Sequence, residues 1–515
     1  MAASASDESA RRDAEAAVRM QGFYSRLESL LKRHQPMDYA PFASAALKAA
    51  LAAPDRSAPV AAHHVLHSIE ANCRYTRGQN HDPVDRNRFI QVLNVYAEHA
   101  DPLHPGLISQ SISHFFLVVH REQIELQHAH ARGDLVRDFQ LFIANSPLPQ
   151  LSNDFLQQNG LTIEEWFKLS LLTWIAAERD PRCCFTKGTV LDAELVGVPL
   201  HRAERFFNAS SRTPIAIAER FRETRENLKP QFHSLIRSVF LEAPLIDFGG
   251  GRMLAPHPSL VLRNSGHDLY RLLRILPHFD SEFGNSFERY VGTVVRSIKG
   301  TLRCLDKRVL ENLSPGKSCD FLLELPDSVL LLEAKAATFT ANLLTENAIR
   351  GDNSTAKVAK AIEQLYTTAH EIREGTLQTL GIATTKPIVG IVVTYGDLPL
   401  ANSRWYFDSF FLKRAETKLK PPIYPGNAMA RLPIIMPIHV LELLAATITH
   451  LDASPIVLFD EKESRPFLEV GDWNTFLAAK LRESNKKDLM LPFAKEQFVE
   501  FLVSLGFERD RAGMI

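Results

Sequence analysis

The chain has 515 residues, 45% hydrophobic and 23% charged. That length exceeds one ordinary core, so two or three compact units are expected, and the composition excludes a collagen-like or wholly disordered chain. Lys and Arg total 59 against 60 Asp and Glu, which excludes a protein that coats nucleic acid by global charge; any such contact must come from local basic patches.

The opening MAASASDESARRDAEAAVRM carries no apolar stretch of signal-peptide type, and apolar runs such as Phe115 to Val119 are far too short to span a bilayer, so no membrane association is expected. Cys73, Cys183, Cys184, Cys304 and Cys319 lack the spacing of a zinc clamp. They read as reduced, mostly buried thiols, which points to a reducing cytoplasm.

From about residue 13 to 240 the hydrophobic spacing is helical, as in Val18, Phe23, Leu27, Leu30 and Leu31, or Trp166, Leu169, Leu172, Thr173 and Ile175. Thr162-Ile-Glu-Glu165 has the form of a capping box. Punctuation such as Asn145-Ser-Pro-Leu-Pro149 separates the helices, and residues 1–240 are expected to form an irregular helical domain. His120, His128 and His130 stand at i, i+8 and i+10, which does not converge on one metal, and His63-His64 reads the same way.

Two short apolar runs flank Gly249-Gly250-Gly251 between Pro244 and Leu262, which predicts a β-hairpin and a domain boundary nearby. The glycines lack the Lys-Ser/Thr of a phosphate-cradling loop. From 241 to 455 helical and β-rich runs alternate: a helix at Phe287 to Ile298, FLLEL, VLLLEAKA, a helix around Ala356 to Ile372, IVGIVVTY, a helix near Ser403 to Leu419, then LPIIMPI and HVLELLAATI. That alternation predicts an α/β layer structure. Residues 456–515 read as a helical C-terminal extension.

The stretch from Cys319 to Lys335 carries chemistry. FLLEL and VLLLEAK flank Pro326-Asp327-Ser328, a hairpin in which Leu325 is expected to pair with Ser328 and Asp320 to fall opposite Glu333. Opposed residues have Cβ atoms roughly 4.5 to 5.5 Å apart, and like charges so placed need a neutralising partner, which a divalent cation supplies. Lys335, two residues on, shares the face of Glu333, whereas Glu324 lies roughly 13 Å along the strand. Oxygen ligands with open water positions suit Mg²⁺ or Mn²⁺. The plain alternative is a solvated strand edge.

The order of a helix with Phe287-Glu288-x-Tyr290, a hairpin with Asp320, then Glu333-x-Lys335, then a helix with Gln364-Leu365 resembles the PD-(D/E)XK nuclease superfamily over roughly residues 281 to 449. Asp320 follows Cys319 where the name-giving pattern has proline. The resemblance implies a restriction endonuclease-like mixed sheet flanked by helices, and a Mg²⁺- or Mn²⁺-dependent nuclease. In it Asp320 and Glu333 are metal ligands, Glu288 joins the metal shell from its helix, Lys335 is the catalytic lysine and Gln364 is an auxiliary helix glutamine. DNA is the implied partner, with RNA left open, and fold-level analogy places such domains among effectors of restriction or anti-phage defence.

Two segments would supply local positive charge: Arg404, Lys413, Arg414, Lys418 and Lys420 with Trp405, Tyr406, Phe410 and Phe411 nearby, and the stretch Arg202 to Arg237. Each also reads as a solvated face over a buried apolar stripe. The rival to a nuclease is an inactive nuclease-fold protein that binds nucleic acid or serves assembly. The helical half is then an interaction module for a protein partner, and a homo-oligomer is left open.

Overall fold

The computed structural model describes residues 2–52, 59–76, 83–99, 132–144, 148–191, 197–227, 236–312, 318–338, 351–377, 381–398, 401–416, 428–464, 473–483 and 492–509. Contacts divide the chain into two compact units, Met1–Leu135 with Ser152–Leu276 and Leu502–Ile515, and Val136–Leu151 with Pro277–Phe501. The division after Leu276 falls later than the boundary expected near Pro244. Residues 456–501 group with the second unit.

In the first unit, α1 (Ala2–Leu31), α2 (Pro36–Ala52), α3 (Pro59–Asn72) and α4 (Arg86–His99) bury stripes at helical spacing. Phe23, Leu27 and Leu31 meet Tyr39, Leu47, Leu66, Ile69, Val92 and Tyr96 in one core. α5 (Ile163–Arg179) opens on the expected capping box: the Glu165 amide donates to Thr162 Oγ1 at 3.1 Å, and Glu165 Oε2 accepts from the Thr162 amide at 2.8 Å. α6 (Pro214–Glu226) is capped by Thr213, whose side chain accepts from the Ala216 amide.

A small sheet of order β1-β4-β3-β2 joins this core, from β1 (Cys184–Thr186), β2 (Ser211–Arg212), β3 (Leu245–Asp247) and β4 (Arg252–Leu254). β3 and β4 are the predicted hairpin, and Gly249, Gly250 and Gly251 all turn through positive φ, where glycine has no steric penalty. β4 pairs with β1 and β3 with β2. The hairpin thus completes a sheet begun inside the segment expected to be mostly helical, and that is why it belongs to the first unit. β1 and β2 are too short to show a period of two.

The second unit contains α7 (Phe279–Arg296), β5 (Arg303–Asp306), α8 (Lys307–Glu311), β6 (Phe321–Glu324), β7 (Val329–Lys335), α9 (Asn353–Arg373), β8 (Ile388–Thr394), β9 (Ile434–Pro437) and α10 (Ile438–Leu451). Its five strands run in the order β5-β6-β7-β8-β9, antiparallel from β5 to β7 and parallel from β7 to β9. Register places Phe321 beside Leu332 and Ile391, and Leu322 beside Leu331 and Gly390. Because side chains alternate, these two rows face opposite ways. A Cβ on Gly292 of α7 would meet Phe321 at 2.9 Å, and one on Gly390 would meet Leu365 of α9 at 3.2 Å. The two helices therefore cover opposite faces, and β8 is buried along its whole length.

This is an α-rich unit followed by an α/β layer unit. The edge strand β5, half-exposed throughout, carries no apolar run that announces it. The segment expected as a helix near Ser403 to Leu419 is Arg404–Tyr406 and Lys413–Glu416 around one wide π-helical turn, Phe407–Leu412. Among the described residues no single helix is long and apolar enough to cross a membrane.

The first core contains a buried glutamate. Glu70 is fully buried, and its Oε1 accepts from the Ser238 hydroxyl at 2.5 Å and the Val239 amide at 2.7 Å. Burial pushes its carboxyl up from 4.5 to about 8. The folded protein therefore holds this proton more tightly than the unfolded chain, and stability present below pH 4.5 is lost as pH rises through about 8. Glu70→Gln should remove that slope. Between pH 5 and pH 9 the wild type is expected to lose on the order of 1–3 kcal/mol relative to the variant in urea denaturation; parallel curves would show that Glu70 titrates as an exposed carboxyl.

Candidate active site

The β6–β7 hairpin closes as the turn residues predict, with the Leu325 amide donating to the Ser328 carbonyl at 2.9 Å. Pairing runs from Glu324↔Val329 to Phe321↔Leu332. Both strands are buried along their apolar runs, so the closed turn and not one-sided burial fixes this register. Continued by one residue, it sets Asp320 against Glu333.

The two carboxylates are held reciprocally. The Asp320 amide donates to Glu333 Oε2 at 3.0 Å, and the Ala334 amide donates to Asp320 Oδ2 at 2.8 Å. Each carboxylate thus spends one oxygen on the opposite strand's backbone. The other oxygen of each meets an ammonium group: Asp320 Oδ1 lies 3.4 Å from Lys307 Nζ, and Glu333 Oε1 accepts from Lys335 Nζ. Asp320 is 2% and Glu333 0% exposed. Two like charges about 4 Å apart repel by on the order of 4 kcal/mol at an effective dielectric near 20. Burial, then Asp320, accordingly push the Glu333 carboxyl well up, against the pull of Lys335.

Glu288 comes from α7. The helix begins at Phe279 and not near Phe287, so Glu288 lies well inside it. Its placement follows from phase. Phe287, Val291, Val294 and Val295 face the core, and half-buried Glu288 borders that stripe. Burial and then Asp320 raise its carboxyl, while Lys307 and Lys335 draw it down, so it shares the electrostatics of the pair. Yet among the described residues no three His, Cys, Asp or Glu side chains are grouped closely enough to hold a metal ion. The shell of three carboxylates implied for Glu288, Asp320 and Glu333 is not assembled in this geometry.

Gln364 is buried on α9, where its Nε2 donates to the Ser318 carbonyl at 3.2 Å. One turn on, the Thr368 hydroxyl accepts from the Cys319 amide at 2.9 Å. These contacts fasten the segment that leads into Asp320, and Gln364 acts on the site through that segment. Its Oε1 is buried without a hydrogen-bond partner.

Lys307 is the residue that sequence patterns miss. β5 pairs with β6 as far as Asp306↔Phe321, and the same register carries Lys307 to Asp320. Asp306 caps α8 by accepting from the Val309 amide at 3.3 Å, which fixes Lys307 at the first helical position. Burial opposes its charge, but Asp320, Glu333 and Glu288 outweigh it and hold the ammonium pKa above its usual value. The only sequence signal is an N-cap aspartate after a short run, and nothing in its spacing ties Lys307 to Asp320.

The donor set fits a hard divalent cation. It is all oxygen, it offers two carboxylates whose outward oxygens are preoriented by backbone amides, and Mg²⁺ commonly takes one or two carboxylates and keeps its remaining waters.

Among the described residues, neither basic segment presents an exposed row of aromatic rings. Tyr406, Phe410 and Phe411 are buried, and Arg404 pairs with Asp408 at 2.6 Å. Lys418 and Lys420 lie outside the described residues, as do His120, His128 and His130. In the second segment Arg202 binds Glu165 at 2.8 Å, and Arg212 donates to carbonyls at the end of the preceding helix. The chain matches no protein-family model, no curated protein and no solved structure.

Gly292, one turn after Glu288 on the same side of α7, lets the helix approach Phe321 beside Asp320. Gly292→Val should displace the helix and destabilise the chain by about 1–3 kcal/mol through overpacking. A denaturation midpoint equal to that of the wild type would show that the contact has slack.

Proposed function

We propose that the chain is a metal-dependent nuclease of the PD-(D/E)XK type that hydrolyses phosphodiester bonds of DNA, with Asp320 and Glu333 holding Mg²⁺ or Mn²⁺. One observation carries this reading: two buried carboxylates, each anchored by the opposite strand's amide, turn their second oxygens toward two ammonium groups. A bound divalent ion would polarise the phosphodiester and lower the pKa of the attacking water.

The chain's own groups would do the remainder. Asp320 and Glu333 would hold the cation. Lys335, at the end of β7 and partly exposed, would orient the attacking water or offset charge on the phosphorane. Lys307, beside Asp320, would offset charge on the phosphate. Glu288 strengthens the negative potential from the helix side.

A second reading has its own support. The carboxylates and ammonium groups already satisfy one another, as they would in a closed ion-pair network retained by an inactive nuclease fold that binds nucleic acid or serves assembly.

Incubation with linear, circular and single-stranded DNA and with RNA, in Mg²⁺, Mn²⁺ or EDTA, separates the two. Metal-dependent cleavage of DNA is expected, with none in EDTA. Lys335→Ala should reduce the rate about 100-fold or more while DNA retention in a gel shift stays nearly constant, because its charge acts in the transition state. Cleavage undiminished in that variant sinks its catalytic role, and loss of binding as well would make it a phosphate anchor.

Lys307→Met gives an independent check by calorimetry. With the competing ammonium gone from Asp320, Mn²⁺ should bind several-fold more tightly than to the wild type, in line with about 1 kcal/mol of relieved charge competition. Unchanged affinity would mean that the cation does not displace Lys307.

A further inference from the structure

The first unit holds a cleft of about 330 Å³ between α1, α3 and α6, unrelated to the carboxylate pair. That volume lies within the range of small-ligand sites. Its walls are apolar, with Leu27, Leu31, Ala71, Ala218 and Phe221 along them. Glu70 also lines it. While Glu70 Oε1 is satisfied by Ser238 and Val239, its Oε2 is buried without a hydrogen-bond partner. The nearest cationic candidate, His67 Nε2, is 3.8 Å away and already bonded to the Ile236 carbonyl at 2.9 Å. Burial holds that imidazole neutral, with its pKa well below the usual value. A buried carboxyl oxygen left unmatched costs free energy that a ligand group can recover.

Other lining residues have the opposite character. Arg225 lies over the Tyr24 ring at 4.3 Å and Arg74 over the Tyr75 ring at 5.1 Å, which holds two planar guanidinium groups at the cleft. Arg222 adds a third. Arg74 and Arg222 have carboxylate neighbours, Glu28 at 3.7 Å and Glu226 at 3.9 Å, but both pairs are exposed and compete weakly with an incoming anion. Three arginines against Glu28 and Glu219 leave the exposed lining net positive.

A ligand of this cleft would carry a polar group that answers one carboxyl oxygen, an apolar body and an anionic end. We propose that this cleft binds a nucleoside monophosphate, its base against the apolar walls with one polar edge atom on Glu70 and its phosphate on Arg74, Arg222 and Arg225. An acyl chain is disfavoured by the carboxyl, and a free phosphate would leave both the carboxyl and the apolar walls unanswered.

The test uses the full chain carrying Asp320→Asn, in EDTA, so that binding at the carboxylate pair does not contribute. AMP, GMP, CMP and UMP are titrated by calorimetry, with adenosine, guanosine and inorganic phosphate as controls. At least one purine monophosphate should saturate below about 1 mM, and its nucleoside should bind about tenfold or more weakly for want of the charge-assisted contacts. An Arg222→Ala, Arg225→Ala double variant, both residues lying on the surface of α6, should lose a similar factor. Glu70→Gln should change the preference among the four bases. No saturation by any nucleotide up to about 5 mM, or equal affinity in the arginine double variant, overturns the proposal. An unchanged base preference in Glu70→Gln overturns the assignment of the base to that carboxyl.

Discussion

The α/β unit turns on one reciprocal arrangement, in which the amide of Asp320 holds the Glu333 carboxylate and the amide of Ala334 holds that of Asp320. Charged acceptors bonded to backbone amides are among the stronger hydrogen bonds available. Here they also set direction, because each carboxylate is left with one outward oxygen. Without those amides, two buried acids on facing strands would separate or stay protonated. With them, the pair is organised to take positive charge, and in the folded chain Lys307 and Lys335 provide it.

The surrounding fold maintains this arrangement from several directions. The apolar hairpin fixes register from below, while β5 brings Lys307 alongside Asp320. From one face, α9 secures Ser318 and Cys319 through Gln364 and Thr368. From the other, α7 comes close enough at Gly292 to carry Glu288 into the field of Asp320. Most of these groups have no chemical part in the site. They hold two acids and two bases in a geometry that the acids alone would not adopt.

Both units place a buried glutamate where its charge is costly, and they resolve that cost differently. Glu333 keeps an ammonium partner in direct contact. Glu70 has amide and hydroxyl donors on one oxygen and no hydrogen-bond partner on the other. The first has an ammonium partner; the second is an incomplete hydrogen-bonding group beside a cleft with arginines in its lining.

Local rules determined much of what the sequence reveals. Thr162 and Glu165 had to form a capping box, three glycines had to turn a hairpin, and Pro-Asp-Ser between two leucine-rich runs had to set Asp320 against Glu333, because each depends on neighbours within a few residues. The stripe of Phe287 and Val291 likewise made α7 visible, though its start eight residues earlier at Phe279 was not. Tertiary structure alone decided the rest. Lys307 reaches Asp320 only because β5 joins the sheet edge, and β5 is too short and too exposed to leave a hydrophobic period. Gln364 was legible as a polar residue on a helix, but its bond to Ser318 depends on how α9 lies across the sheet. The hairpin at Gly249–Gly251 joined the first unit because two strands hidden among helices were there to pair with it. Period and capping act over a turn or two of chain, whereas pairing between distant edges is fixed only when the whole core closes.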